Sequence, residues 1–373
     1  MIYLDHAATT PLDEEVLRLY IQELKEDYGN PSSLYRLGKK ASRKLRQARE
    51  DIAEIFGLED RNIYFTSGAT ESNNWALWSQ SLAHRRAFGQ DEIVTSSLEH
   101  PAVVKTLDYL KTLGFKIIEV APRDGNIQVQ DFLEATNQKT CGWICMAVNN
   151  ETGSILPVTQ LGQEAKDRNI YFHIDGVQAM ALEEVDLKST YYTSLTCSGH
   201  KVYGPKGMGF LATKNLKAPL MAYHRGGSQE FNLRAGTVDV PGAQALAKAL
   251  EIAYARSQED QAHCRALKEA CIQGLSQGGL DFAVNHLAQE SPKILNLWIK
   301  GVPAQELLMK LDMEDIYVSA GSACSAGALG PSRVIESIYP QDPNRGLESI
   351  RLSFGRENTL EEIDQLVQAL VKA

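Results

Sequence analysis

Short β-rich runs alternate with helical stretches from about residue 60 onward, and this alternation constrains the fold more than any other feature of the sequence. Such a pattern is typical of a mainly parallel α/β sheet that is covered by helices on both faces. Ligands bind beyond the carboxyl ends of the strands in sheets of this kind, so the residues just after each run are candidates for a functional site. The candidate strands are 62–66, 92–96, 116–120, 143–148, 171–175, 194–197 and 208–213.

The rest of the chain predicts a second, smaller unit, because 373 residues exceed what one hydrophobic core usually organises. A long helix over 240–275 is expected to connect the two units. It is followed by α+β content, namely a strand at 293–299, a helix at 304–311, a strand at 349–354 and a helix at 360–371. We expect a large domain over 15–257 and a small domain formed by 1–14 and 258–373.

Charge and hydropathy exclude several classes of protein. The formal net charge of −9 repels phosphate backbones and argues against direct nucleic-acid binding. No apolar stretch approaches the about eighteen residues of a membrane span, and residues 1–5 lack the character of a secretory signal, so a cytoplasmic protein is expected. The six cysteines are too sparse for a disulfide scaffold and show no paired C-x-x-C spacing, so no metal site is predicted.

Two charged residues at the ends of predicted strands point to amine chemistry. Lys201 lies among small and turn-forming residues in 198–207, and a partly buried lysine there could lose its proton and form a Schiff base. A lysine that snorkels at a loop edge is the alternative. Asp175 ends the strand 171–175, where its carboxylate could keep a pyridine nitrogen protonated or could cap the next helix.

Three further segments follow predicted strands. Residues 66–72 place Gly68 and Thr70 at the start of a helix, where unpaired amides could bind a phosphate, although every strand-to-helix turn needs a cap. His100 follows the strand 92–96 and could stack on an aromatic ring and transfer protons. The amides in 149–150 could donate to a phenolic oxygen.

Taken together, these segments resemble the cysteine desulfurase family, a group of class V aminotransferases among the fold-type I enzymes that use pyridoxal 5′-phosphate. The resemblance covers nearly the whole chain, and it is carried by the motifs at 3–11, 29–33, 68–72 and 198–207. It implies a large coenzyme-binding domain with a mainly parallel seven-stranded sheet, a smaller α+β domain, and conversion of L-cysteine to L-alanine. The loop at 319–328 is long and made of small residues, as in the NifS and IscS-like group.

The resemblance also implies a role for each matching residue. Lys201 would form the Schiff base with the coenzyme, Asp175 would contact the pyridine nitrogen, and His100 would stack on the ring. Arg351 would bind the substrate carboxylate, whereas we interpret Arg356 as structural. Gln178 and Asn150 would contact the ring oxygen of the coenzyme. Its phosphate would be held by Ala69, Thr70, Ser198 and His200. The resemblance also implies a homodimer, in which Thr237 of the second subunit would reach the phosphate.

Cys324 is the predicted nucleophile. It lies in a run of small residues, where a flexible arm could carry a thiol to the substrate sulfur, while an incidental thiol is the alternative. The resemblance favours a Cys324 persulfide that is passed to a protein acceptor for iron-sulfur cluster assembly or tRNA thiolation. A related lyase acting on selenocysteine or cystine remains an alternative, and so does a sulfur-delivery protein that docks its partner on the basic helix at 38–56.

The sequence departs from the family pattern at two points. Tyr35 replaces a histidine that many relatives carry, which removes a titratable group near the expected entrance of the site. The chain also stops at Ala373 without the longer tail that helps many relatives to engage a scaffold protein. The acceptor is therefore less well specified by the sequence than the desulfurase reaction.

Overall fold

The computed structural model describes residues 1–321 and 331–372 of the chain. The strands are β1 (Ile2–Tyr3), β2 (Ile63–Thr66), β3 (Glu92–Ser96), β4 (Lys116–Val120), β5 (Thr140–Met146), β6 (Tyr171–Asp175), β7 (Ser194–Ser198), β8 (Gly209–Thr213), β9 (Phe282–Val284), β10 (Ile294–Ile299), β11 (Ile316–Tyr317) and β12 (Ser349–Ser353). The α-helices are α1 (Glu14–Glu26), α2 (Arg36–Phe56), α3 (Ala69–Phe88), α4 (Pro101–Thr112), α5 (Val129–Glu134), α6 (Val158–Arg168), α7 (Gln229–Asn232), α8 (Val240–Ala255), α9 (Ser257–Gln277), α10 (Ala304–Met313), α11 (Arg333–Ile338) and α12 (Leu360–Lys372).

Seven strands form the central sheet, in the order β2-β8-β7-β6-β5-β3-β4. The strands from β7 to β4 pair in parallel, while β8 is antiparallel to both of its neighbours. The predicted mainly parallel α/β sheet is therefore confirmed. Because parallel strands end at the same edge of a sheet, the residues after β3, β5, β6 and β7 come together there.

The bounds of two predicted elements are wrong. β5 spans Thr140–Met146 rather than 143–148. It includes Gly142, which pairs with Tyr171 on β6, and a Cβ at residue 142 would come within 2.6 Å of the tyrosine ring. The single helix predicted over 240–275 is two helices, α8 and α9, which separate at Arg256. The apolar face of α8 packs in one core and that of α9 packs in another, so the chain changes direction between them.

The chain changes direction because α8 and α9 pack in two different apolar cores. The larger core includes apolar side chains of the central sheet and of α2, α6 and α8, while buried apolar side chains of α3 and α4 pack against the sheet in two small clusters. The smaller core lies between α9, α10, α12 and a three-stranded antiparallel sheet of order β12-β10-β9. Ile2 and Leu4 belong to the smaller core, because β1 pairs in parallel with β11. The amino terminus thus packs with the last third of the chain.

No helix among the described residues is both long and apolar enough to cross a bilayer. No group of three or more histidine, cysteine, aspartate and glutamate side chains among them could hold a metal ion.

Candidate active site

One cavity of about 430 Å³ lies at the carboxyl edge of the central sheet. Asp175 ends β6 and Ser198 ends β7, and His100 and Asn150 follow β3 and β5, so all four reach this edge. The cavity is lined by ten of the residues predicted for the site, namely Ala69, Thr70, His100, Asn150, Asp175, Gln178, Ser198, His200, Lys201 and Arg351.

The Lys201 ammonium is held by the amino-terminal segment. Its Nζ donates to the carbonyl oxygens of Ala7 and Ala8, the latter at 2.7 Å. Gln178 Nε2 also donates to the Ala7 carbonyl, at 3.0 Å, so Gln178 and Lys201 share one acceptor. The motif at 3–11 carries part of the family resemblance, but no role was predicted for Ala7 or Ala8 within it. The small side chains at positions 7 and 8 were the only local signal that backbone is approached closely there.

The Asp175 carboxylate is buried and oriented by two donors. Asn73 Nδ2 donates to its Oδ2 at 2.8 Å, and the Val177 amide donates to its Oδ1 at 3.1 Å. Asn73 lies on the second turn of α3 and was not predicted for the site. Its distance of 102 positions from Asp175 explains why no local pattern could reveal the contact.

His100 caps α4 and lines the cavity. Its Nδ1 accepts from the Ala102 amide at 3.1 Å, so the neutral ring carries its proton on Nε2. Burial lowers the pKa of His100, although the Asp175 carboxylate raises it and the Lys201 ammonium lowers it. A neutral imidazole whose Nε2 can exchange a proton is therefore available at neutral pH.

The amino end of α3 forms a cradle for an anion. Gly68 precedes the helix with a φ of 144°, and no side chain caps the first turn. The backbone conformation requires glycine, and a Cβ at this position would stand in van der Waals contact with Ser198 Oγ, at 3.4 Å. The helix N-terminus carries partial positive charge, which suits a phosphate held by the Ala69 and Thr70 amides.

Side chains next to this cradle are fixed by their own partners. Glu71 accepts from Arg234 Nε at 2.7 Å and from the Ser67 amide at 2.8 Å, so its charge is balanced. His200 Nδ1 lies 3.2 Å from Thr9 Oγ1, and burial lowers the pKa of His200 to about 4, with the Lys201 ammonium contributing. His200 is therefore a neutral hydrogen-bonding group beside the cradle.

The two neighbouring asparagines after β5 differ in what they do. The Asn149 side chain makes hydrogen bonds within the fold, since its Oδ1 accepts from the Glu151 and Thr152 amides and its Nδ2 donates to the Leu98 carbonyl. Asn150 lines the cavity. Only Asn150 thus remains as a candidate for a contact to a ligand.

Arg351 enters the cavity from β12, in the smaller core. Its side chain is only 1% exposed, and its Nη2 donates to Asp5 Oδ1 at 2.7 Å while its Nη1 donates to the Asn150 carbonyl at 2.9 Å. Arg356 instead pairs with Asp13 at 2.8 Å and with Asp260 at 2.9 Å, away from this cavity. The contacts of Arg351 suit a guanidinium that is aimed at a small carboxylate.

Two further residues singled out in the sequence, Thr237 and Tyr35, are not among those that line the cavity. Thr237 is exposed. Tyr35 is also exposed, at the start of α2. Cys324 lies outside the described residues, so its predicted role stays a prediction.

Comparison with known proteins places the chain in a family. The aminotransferase class-V family model matches residues 2–366. The cysteine desulfurase IscS of Methanosarcina thermophila is 36% identical over 373 residues, which are 99% of this chain and 91% of that protein. A solved structure described as a NifS-like protein has a TM-score of 0.91 at 30% identity and covers 100% of this chain and 98% of its own. The structure described as SspA in complex with cysteine has a TM-score of 0.80 at 29% identity and covers 96% of this chain and 100% of its own.

The matches extend over both cores and over every segment that lines the cavity. They include the amino-terminal segment that binds Lys201 and the strand that carries Arg351. The chain belongs to the class-V aminotransferases and, among them, to the cysteine desulfurases.

Proposed function

We propose that this chain is a cysteine desulfurase that uses pyridoxal 5′-phosphate, converts L-cysteine to L-alanine, and transfers the sulfur to Cys324 as a persulfide. The observation that carries the proposal is that Lys201, Asp175, the amino end of α3 and Arg351 line one cavity. An amine, a carboxylate, an anion cradle and a guanidinium are the four groups that this coenzyme and an amino acid substrate require.

The residues of the cavity suit the coenzyme at three points. The Lys201 amine would hold its aldehyde carbon, the Asp175 carboxylate would hold its ring nitrogen, and the α3 amides of Ala69 and Thr70 would hold its phosphate. Ser198, His200, Gln178 and Asn150 would add hydrogen bonds, and His100 would stack on the ring. When bound, pyridoxal phosphate withdraws electrons from the Cα of an attached amino acid.

Proton transfer would fall to Lys201 and His100. Lys201 Nζ donates to two carbonyl oxygens of the amino-terminal segment, and in its neutral form the Lys201 amine would take up the substrate Cα proton. His100 Nε2 is placed to hold a second proton, because Nδ1 is occupied by the Ala102 amide. The two groups can therefore act on different atoms of the substrate.

The overall reaction balances without an outside oxidant or reductant. L-Cysteine and the Cys324 thiol give L-alanine and a Cys324 persulfide. The Cβ–S bond of the substrate breaks, an S–S bond forms, and the substrate Cβ gains the hydrogen that one thiol loses. Only the thiolate of Cys324 is a competent nucleophile for this step.

The sulfur acceptor and the assembly state are part of the same proposal. We expect a protein acceptor in iron-sulfur cluster assembly or tRNA thiolation, and a homodimer in which Thr237 reaches the phosphate of the other subunit. The exposure of Thr237 in the single chain supports this, because the residue is accessible to a second copy. A cytoplasmic location stays a prediction of the sequence.

The test is to reduce the coenzyme-loaded protein with borohydride and to map the labelled peptide. We expect the coenzyme on Lys201 and none on Lys206, a matched control because both lysines line the cavity. In a separate sample that has not been reduced, mass spectrometry after exposure to L-cysteine should show one added sulfur on Cys324. Label on Lys206, or no label on either lysine, would contradict the proposal.

A Cys324→Ser variant separates the desulfurase from a selenocysteine or cystine lyase, which does not require a protein thiol. We expect the variant to lose L-alanine release from L-cysteine. Release at the wild-type rate would show that Cys324 does not accept the sulfur.

The docking alternative is tested by reversing charges on α2 that do not stabilise the fold. Lys40 and Lys44 pair with Asp27, and Lys44 also pairs with Glu23 at 2.5 Å, so these lysines stabilise the fold. Lys39, Arg43 and Arg46 are exposed on the same helix. Reversal of these three charges should leave L-cysteine turnover unchanged, and loss of sulfur transfer alone would indicate that α2 docks the acceptor.

A further inference from the structure

A buried chain of hydrogen bonds runs from Asp175 into the central sheet, and the mechanism above does not use it. Asn73 Nδ2 donates to Asp175 Oδ2 at 2.8 Å, and Asn73 Oδ1 lies 2.8 Å from His173 Nε2. His173 Nδ1 lies 2.7 Å from Ser194 Oγ, and Ser194 Oγ lies 2.6 Å from the Tyr171 hydroxyl. All five side chains are buried.

The direction of the first two bonds follows from the chemistry of the groups. An ionised carboxylate only accepts, so Asn73 must turn its Nδ2 toward Asp175 and its Oδ1 toward His173. Thr196 Oγ1 donates to the same Oδ1 at 3.1 Å, which favours this orientation of the amide. His173 must therefore donate from Nε2.

The direction of the last two bonds follows from the charge of His173. Burial lowers the pKa of His173 to about 3, so the ring is neutral and carries one proton. With that proton on Nε2, Nδ1 can only accept, and Ser194 must donate to it. Burial also raises the pKa of Tyr171, so its hydroxyl keeps its proton and donates to Ser194. Every donor in the chain thus points toward Asp175.

We propose that Asn73, His173, Ser194 and Tyr171 are positioning residues that hold the Asp175 carboxylate in the rotamer needed by the coenzyme ring and stabilise its negative charge. Aligned hydrogen bonds polarise one another, and they act most strongly in a buried environment. The inference rests on the proposed function, because Asp175 faces the coenzyme only if the cavity binds one.

The position of Asn73 strengthens the inference. It lies on α3, whose amino end provides the anion cradle, and His173 lies two residues before Asp175 on β6. One helix therefore fixes both the cradle for the phosphate and the carboxylate for the ring nitrogen. The distance between the two contact points is set by the rigid geometry of α3 rather than by a loop.

The first test reads the protonation of His173 directly. In the coenzyme-loaded protein with ¹⁵N-labelled histidine, we expect the His173 signals to report a neutral ring with the proton on Nε2. The signals are assigned by their loss in a His173→Gln variant. A proton on Nδ1, or a charged ring at neutral pH, would reverse the chain of donors and overturn the proposal.

The second test measures the dissociation constant of pyridoxal phosphate. An Asn73→Leu variant removes the donor to a charged group, so we expect about tenfold or more weaker binding. Because this variant could fail to fold, Ser194→Ala is measured beside it, and we expect a mixture of His173 tautomers and a smaller loss of affinity. The coenzyme dissociation constant of Tyr171→Phe is compared with that of Tyr192→Phe. Tyr192→Phe is a matched control, because the buried Tyr192 hydroxyl has no hydrogen-bond partner among the described residues.

The outcomes separate the two proposals. Weaker coenzyme binding in Asn73→Leu and Ser194→Ala, with wild-type affinity in Tyr192→Phe, would support the positioning role. Wild-type affinity in the folded Asn73→Leu protein would overturn this inference alone. A wild-type protein without affinity for the coenzyme would overturn the proposed function and this inference with it.

Discussion

The Asp5 carboxylate orients Arg351, the residue proposed to bind the carboxylate of the substrate. It accepts from Arg351 at 2.7 Å and, through its other oxygen, from Ser319 Oγ at 2.8 Å. Because Asp5 and the Asn150 carbonyl each occupy one terminal nitrogen of the guanidinium, the plane of the fork is fixed before a substrate arrives. The same pairing partly neutralises the buried arginine, which offsets the cost of desolvating its charge.

Arg351→Lys tests this geometry. A lysine keeps the charge but loses the planar fork, so we expect the KM for L-cysteine to rise about tenfold, in line with the loss of one charge-assisted hydrogen bond. Steady-state kinetics of L-alanine formation provide the measurement. Arg356→Lys is the control, because its partners are Asp13 and Asp260, and it should lower thermal stability while leaving KM unchanged. An equal rise of KM in both variants would contradict the assignment of Arg351.

Glu99 predicts a pH-dependent stability. Burial raises the pKa of Glu99 to about 8, although Ser96 Oγ at 2.5 Å and the Met146 amide at 2.8 Å both donate to its Oε1. The folded chain therefore keeps a proton that the unfolded chain releases above its ordinary pKa of 4.5. The stabilisation from this proton is complete below that value and is lost as pH rises toward 8.

Glu99→Gln cannot titrate, so its free energy of unfolding relative to wild type should rise between pH 5 and 8, by at most about 1.4 kcal/mol per pH unit. Urea denaturation at several pH values measures the difference. Glu54→Gln, at an exposed position of α2, should show a constant difference from wild type. A constant difference for Glu99→Gln as well would mean that Glu99 is ionised in the folded protein.

At the scale of single elements, α3 offers a matched pair of glycines. Gly68 precedes the helix with a φ of 144°, and Gly89 follows it with a φ of 69°. An added Cβ meets Ser198 Oγ at 3.4 Å at the first position and nothing within 4 Å at the second. Both substitutions strain the backbone, but only one of them alters the cradle.

We therefore expect Gly89→Ala to lower stability by on the order of 1 kcal/mol. Gly68→Ala should lower it by more, because the φ and ψ of Gly68 lie in a region that is essentially restricted to glycine. Only Gly68→Ala should weaken coenzyme binding. Thermal unfolding and the dissociation constant of pyridoxal phosphate provide the two measurements. If Gly89→Ala also lost the coenzyme, the effect would come from general destabilisation of α3 and not from the cradle.

Some of the strands, helices and site contacts can be predicted from the sequence, and others cannot. The strands of the central sheet are predictable because each has a local apolar pattern, and Asp175 and Ser198 are predictable as cavity residues because strand ends converge. Asn73, Asp5 and the Ala7 carbonyl are not predictable in this way, because their contacts join segments far apart in the chain. The break between α8 and α9 was missed because both sides have good helical patterns, and only the two separate cores require it.

At the scale of the whole molecule, the amino-terminal segment connects the smaller core to the active site. Leu4 is fully buried in the smaller core, its amide donates to the Tyr317 carbonyl at 2.9 Å, and its carbonyl accepts from the Ser353 amide at 2.7 Å. Asp5 and Ala7, which contact Arg351 and Lys201, follow directly. We propose on this ground that residues 1–14 and 258–373 form one folding unit and that 15–257 form the other.

Leu4→Ala tests this division. Removal of a fully buried leucine side chain costs about 2–5 kcal/mol, whereas Leu34→Ala, which is 87% exposed, should cost less than about 0.5 kcal/mol. Hydrogen exchange should then be faster in β11 and β12 of the Leu4→Ala protein, while β5 and β6 keep wild-type protection, because the smaller core can open without the central sheet. Equal acceleration in β6 and β12 would show that the two cores unfold as one cooperative unit, and the proposed boundaries at residues 15 and 258 would be wrong.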